Sequence, residues 1–297
     1  MNYTKPPLDY SQILQMLKGR GLIITDENKA LAQLKTISYF RLANYLRPME
    51  QNKISHVFKP NSHFDNAVSL YFFDKKLRAL LFTVIQSFEV ALRSKLIHHF
   101  SMVYGAFWTI DRSLFTDKKI FSDCSIRIQQ EVFRSKEDFV QEHFDKYSTP
   151  IIPPAWKALE VVSFGTLSRI LCNLSDKRIK KKIAREFNLP QHKLLESWCK
   201  SAVTLRNNLA HHSRIWNRAY PIQPQLPRAL NGDWINPAGV ANNRLYAQIC
   251  CLAYLQNTIQ PDNDFRQQLK SLLLAYPNVD TSAMGFPPNW ANEPLWK

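Results

Sequence analysis

The chain predicts an all-α protein. Apolar residues recur at three- and four-residue spacing in one segment after another, and seven glycines are too few for many tight β-hairpins. The breaks between those segments fall largely at proline. The chain opens with a proline-containing arm, KPPLDY, and a short helix, SQILQMLKGRG, that closes at Gly19 or Gly21. Thr25 or Asp26 caps a helix over 27–34. A second helix covers 37–46 and stops before Pro48, because a residue ahead of proline is pushed out of the helical region. Tyr39, Leu42, Ala43 and Leu46 form its core face, with Arg41, Asn44 and Tyr45 elsewhere. Residues 48–64 are polar, contain Pro60 and read as a loop. A long helix over 65–100 carries a stripe of Leu70, Phe73, Leu77, Leu81, Val84, Phe88, Leu92 and Leu96, which is a core stripe. Residues 101–150 are less regular, with Phe107 and Trp108 as a buried anchor and a charged helix over 131–147. STPIIPP breaks the chain, and AWKALEVVSFGTLSRILCNL follows as one helix. Its Gly165 suits close helix packing better than phosphate binding.

The segment SDKRIKKKIAREFN at 175–188 is the most basic. Ile179, Ile183 and Phe187 anchor it as a helix, while Lys177, Arg178, Lys180, Lys181, Lys182 and Arg185 give either a solvated face or contacts to phosphate. Asn188 caps the next helix and Pro190 suits its first turn; that helix runs to about Arg218 and ends before Pro221. The proline- and asparagine-rich stretch after it reads as irregular. A last long helix covers 242–259, with Leu245, Ile249, Leu252 and Leu255 on one face. A shorter one spans Phe265–Ala275, and the tail lies extended, held by Phe286, Trp290 and Trp296.

Composition narrows the function. A net charge of +15 serves solubility or, on the sharper reading, a polyanionic partner, nucleic acid ahead of a membrane surface, since no helix pairs a basic face with bulky exposed apolar residues. No apolar run approaches a membrane span, and MNYTKPPLDYSQ lacks a signal-peptide layout. Five cysteines without CxxC spacing fit a reducing cytoplasm and offer no zinc site. Neither a carboxylate cluster for magnesium, a Walker-type loop nor a Gly-x-Ser-x-Gly elbow is present, so no metal or cofactor is expected.

The chemistry concentrates in SAVTLRNNLAHHSRIWN, where Arg206 and Asn207 precede His211 on an amphipathic helix. At about 100° per residue, Asn207 lies about 40° from His211 and Arg206 about 140° away. One helix presents the Arg and His poorly as a pair, whereas two such helices near a two-fold axis gather two of each around one cleft. The neighbouring His212 points about 100° away and reads as structural. A second Arg-x4-His, Arg93 to His98, lacks the asparagine. Spacing alone leaves Arg206 open to a structural ion pair and His211 to a helix–helix contact.

RNNLAHH followed by RIWN resembles the signature helix of the Abi-like (abortive infection) proteins of the HEPN superfamily. YFRLANYLRPM, FEVALRSKL, SFGTLSRI and MGFPPNW resemble further segments of that family along most of the chain. The resemblance implies an all-α HEPN-type bundle at 65–260, an amino-terminal helical arm at 1–64 packed on it, and a short helix with an extended tail at 261–297. It also implies a cytoplasmic, metal-independent endoribonuclease of phage defence, or a toxin. Its products are a 2′,3′-cyclic phosphate and a 5′-hydroxyl. Arg206, Asn207 and His211 are then catalytic, Glu89 and Arg93 support the catalytic helix, and RNA also meets Arg41, Arg214 and the basic segment. Glu89 and Arg93, four apart, read equally as a surface ion pair worth about 0.3–0.5 kcal/mol, and Arg41 as a solvated residue of a packing helix. A homodimer is expected. Two other readings stay open: a non-catalytic protein that holds a structured RNA, and a HEPN module acting through an antitoxin partner.

Overall fold

The computed structural model describes residues 2 and 4–297. Among them are twelve α-helices and one two-stranded sheet. The residues divide into two compact units, Met1–Arg78 with Lys270–Val279, and Ala79–Leu269 with Asp280–Lys297. The division between Arg78 and Ala79 falls inside the long helix.

In the first unit, α1 (Tyr10–Gly19) starts at a capping box in which Asp9 and Gln12 each bond the other's backbone N–H. α2 (Glu27–Ile37) is capped by Asp26, and α3 (Tyr39–Leu46) follows after Ser38, whose positive φ of 69° turns the chain. The expected loop at 48–64 holds an antiparallel hairpin, β1 (Glu50–Asn52) with β2 (Val57–Phe58). Phe58 is buried in the unit's core with Leu14, Leu17, Leu34, Leu42 and Leu46. Tyr45, expected off the core face, is 2% exposed and donates to Asp74 Oδ2 at 2.7 Å. Arg78 pairs with the same carboxylate. Asp74 lies 29 residues away, and its burial as the acceptor is what allows a phenol inside.

Helix α4 (Phe64–Tyr104) starts in the first unit and continues in the second. Its stripe from Phe73 to Leu96 is buried as expected, and Phe100 extends it; Leu70 is half-buried. In the second unit the helix expected over 131–147 is divided into α5 (Lys118–Arg134) and α6 (Asp138–Lys146). Ser135 leaves the helix with an extended backbone, and its Oγ accepts the Glu137 N–H at 3.2 Å. The next expected helix is also two, α7 (Ala155–Ala158) and α8 (Phe164–Asn173), separated by a turn that Ser163 closes as the α8 cap. Then come α9 (Lys177–Glu186) and α10 (His192–Ala210). α11 (Leu245–Ile259) is buried on every side from Leu245 to Gln256, not on one face, and α12 (Phe265–Ala275) follows. α10 packs against α8, α9 and α11. Phe88 of α4 meets Phe164 and Phe187 edge-on at 5.9 and 5.5 Å. The tail is anchored by buried Phe286 and Trp296, whose indole N–H donates to Tyr246 at 3.1 Å; Trp290 is half-buried.

Candidate functional site

α10 is held from within. Leu195, Trp198, Ala202, Leu205 and Leu209 are buried, and the Trp198 indole stacks on Trp234 at 5.6 Å and meets Tyr254 of α11 edge-on at 5.8 Å. Its Nε1–H donates to the Gln225 carbonyl at 2.7 Å, tying the proline-rich loop to the helix. The helix begins at His192 with Gln191 as its cap; Asn188, expected in that role, instead ends α9 with a left-handed φ of 57°.

The helix also ends sooner than the expected Arg218. His211 is the C-cap, and its N–H still donates to Asn207 at 3.0 Å, so the hydrogen-bonded turn that carries Arg206 and Asn207 reaches His211 unbroken. His212 takes a left-handed φ of 53°. Its N–H donates to Leu209 and that of Ser213 to Asn208, at 3.0 and 2.9 Å, which is a Schellman ending. A helical 100° step from His211 to His212 therefore does not apply. Beyond the turn Ile215 and Trp216 are buried, and Trp216 donates to the Asp280 carbonyl at 3.0 Å. The histidine thus sits on the last turn, steadied on both sides by buried residues.

His211 and Asn207 are exposed and Arg206 is half-buried. Among the described residues none of the three side chains has a hydrogen-bond or ion-pair partner. Glu89 and Arg93 do pair, at 2.9 Å, but not on the surface: Arg93 is 7% exposed. Its guanidinium also donates to the Leu159 and Val162 carbonyls, in the turn between α7 and α8. Its contacts hold the turn ahead of α8, on which α10 packs. His98, of the second Arg-x4-His, is exposed on α4.

The basic segment is sorted by its helix. Lys177, Arg178, Lys181, Lys182 and Arg185 are exposed on α9, with Arg178 paired to its own cap Asp176 at 3.1 Å. Lys180 turns inward and is 5% exposed. Its Nζ lies 2.5 Å from Glu196 Oε1 and donates to the Leu174 carbonyl at 2.9 Å. It is a structural lysine and does not share the exposed face of the other five. Burial would raise the Asp176 carboxyl, but donors from Arg178, Tyr104 and two backbone N–H groups outweigh it and bring it to about 2. Glu186 behaves alike: burial pushes up, while Lys95 and His99 hold it below the usual carboxylate range. Arg214 is half-buried and bonds the Asn217 carbonyl at 3.4 Å, and Arg41 is exposed on α3 in the first unit.

Among the described residues no group of three or more His, Cys, Asp or Glu is placed to hold a metal ion, and no helix is long and apolar enough to cross a membrane. The five cysteines are free, and burial pushes the Cys124 and Cys172 thiols up, away from the thiolate a nucleophile needs. No curated protein and no solved structure shows a match to the chain. The Abi-like protein family matches it over residues 32–217, from α2 through α10 to the segment just past His211. That span is more than half of the 297 residues, and the chain belongs to the Abi-like protein family.

Proposed function

We propose that this protein is a metal-independent endoribonuclease of the HEPN type that acts in abortive infection, with Arg206, Asn207 and His211 as its catalytic residues. The observation that carries the reading is the last turn of α10: it presents a histidine, an asparagine and an arginine without partners of their own, on a helix whose other end packs against basic α9. RNA supplies its own nucleophile. The ribose O2′ attacks the adjacent phosphorus, the O2′–P bond forms as the P–O5′ bond breaks, and the products are a 2′,3′-cyclic phosphate and a 5′-hydroxyl. The O2′ proton must leave and O5′ must gain one, and imidazole does either near neutral pH. The Arg206 fork suits the charge that builds on the phosphate oxygens, and Asn207 orients His211 or holds one of those oxygens. One imidazole cannot be acid and base at once. Arg206 also lies about 140° around the helix from His211. Both facts favour a homodimer whose two α10 ends share one cleft.

The test is cleavage of single-stranded RNA with and without EDTA, with end-group analysis and sedimentation of the same preparation. A dimer cleaving in EDTA to cyclic-phosphate ends is expected. His211→Ala is expected to lower cleavage by about 10²–10⁴-fold, and Arg206→Ala by about 10²–10³-fold. His98→Ala should have a much smaller effect. Cleavage that survives His211→Ala, or that returns only with magnesium, overturns the reading.

A further inference from the structure

The geometry points to a second phosphate-binding stretch on the same helix, a groove that guides a single RNA strand toward His211. The inference rests on the reading above. About the α10 axis, at about 100° per residue, Lys193 shares the angular position of His211, with Lys200 and Thr204 about 20° from it and Asn207 about 40°. Lys193, Lys200, Asn207 and His211 are all exposed, so the solvent edge of α10 is one polar line. At a rise of about 1.5 Å per residue, Lys200 stands about 16 Å and Lys193 about 27 Å from His211 along the helix.

At the Lys193 end this line becomes a groove of about 260 Å³, with Lys193 and Lys200 on one wall and Ile222 and Gln223 on the other. The far wall is fixed in place, because the Gln225 N–H donates to Ser197 Oγ at 2.9 Å and the Gln225 carbonyl accepts from Trp198. The one carboxylate in the lining, Glu196, is already engaged by buried Lys180. Neither Lys193 nor Lys200 has an ion-pair partner among the described residues, so the groove offers two uncommitted cations. Burial first, then the charges of Lys180, Lys181 and Lys177 of α9, lower the pKa of the neighbouring His192 against the pull of Glu196, so exposed Lys181 and Lys177 extend the positive field to this end of α10. A rigid-walled groove with two such lysines, in line with Asn207 and His211, fits the repeating charge of a nucleic-acid backbone rather than a single anion.

The experiment measures binding, independently of cleavage, with RNA carrying 2′-O-methyl riboses so that no strand can be cut. Reaching from His211 to Lys193 needs about eight nucleotides if the strand is stacked at about 3.4 Å per step, and about four if it is extended to roughly twice that, so strands of about two and about twelve nucleotides bracket the track. The native protein is expected to bind the longer strand more tightly. Lys193→Ala combined with Lys200→Ala should weaken that binding about tenfold and reduce the log–log salt slope by about 1.4, at about 0.7 per phosphate contact. Lys119→Ala combined with Lys146→Ala removes the same charge from exposed positions on α5 and α6 and should leave the slope as it is. An equal loss in that control, or a slope that the groove variant does not change, overturns the proposal, as does failure of the native protein to prefer the longer strand. A protein that binds as expected here but never cleaves unmodified RNA would refute the nuclease reading and leave the groove standing.

Discussion

Lys180 and Lys182 show what a run of lysines hides. Both belong to KRIKKKIARE, and only the helix tells them apart. On a wheel starting at Ile179, Ile183 and Phe187 fall at about 40° and 80°, Lys180 at about 100° and Ala184 at about 140°. Lys180 therefore lies within the buried arc, a signal that the anchor spacing alone did not reveal. The carboxylate that makes its burial tolerable, Glu196, is on another helix. Lys180→Ala would leave Glu196, whose side chain is 17% exposed, without its cation, and should destabilise the fold by about 3 kcal/mol. Lys182→Ala, at an exposed position, should stay within about 0.5 kcal/mol of the native protein while weakening RNA binding. Urea unfolding read beside RNA binding separates the two, and equal stability of both variants would show that the buried pair contributes nothing. The Arg206, Asn207 and His211 string, the proposed catalytic set, stands out in the sequence because a short motif names its own residues. Lys193 and Lys200 were not, since exposed lysines carry no pattern until the loop at 222–225 is seen to wall them in.

At the scale of elements, helices were legible and most of their ends were not. The stripe of α4, the anchors of α9 and the bounds of α12 follow from periodicity, which is a property of neighbouring residues. The break between α7 and α8 depends on Arg93, whose guanidinium reaches carbonyls 66 and 69 residues away. No local pattern contains that contact. The hairpin of β1 and β2 escaped notice for a related reason, because strands of three and two residues are too short to show alternation. The end of α10 has a third cause: the apolar spacing runs on to Trp216, but those residues are buried through a turn rather than along a helix. Arg93→Ala should orphan the two carbonyls and leave Glu89 alone, at a cost of about 3 kcal/mol. Arg93→Lys restores the charge without the fork and should recover only part of it. Amide exchange is the informative probe, since protection at 159–163 and along α8 should fall more than in the first unit. Loss spread evenly over the chain would mean that the arginine does not specifically secure this turn.

For the whole molecule the telling quantity is how stability answers to acid. The chain starts with a net charge of +15, so each carboxylate that is neutralised adds to self-repulsion. Three groups give the response its shape. His192, 9% exposed at the start of α10, has a lowered pKa, chiefly from burial, so the folded state favours its neutral form. Its contribution is present above the unfolded value of 6.5 and is lost as pH falls from there toward the lower folded value. Glu186 and Asp176 are depressed carboxyls, from unfolded values of 4.5 and 3.8. Their contributions are complete above those values and are lost as pH falls through the folded ones, which for Asp176 is about 2. All three signs agree: the unfolded chain binds more protons, so stability rises with pH through each window. Urea midpoints measured from pH 8 to pH 3 should be level at first, decline gently below 6.5, and fall more steeply below about 4.5 as the carboxylates protonate. His192→Gln should flatten the upper part of that decline and leave the lower part. Asp176→Asn should do the reverse, removing part of the steep limb and lowering the plateau, because a neutral side chain caps α9 without drawing charge-assisted bonds from Arg178 and Tyr104. A native profile that stays level down to pH 4, or a His192→Gln profile that overlays it between 6.5 and 5, would show that these contacts do not couple folding to protons.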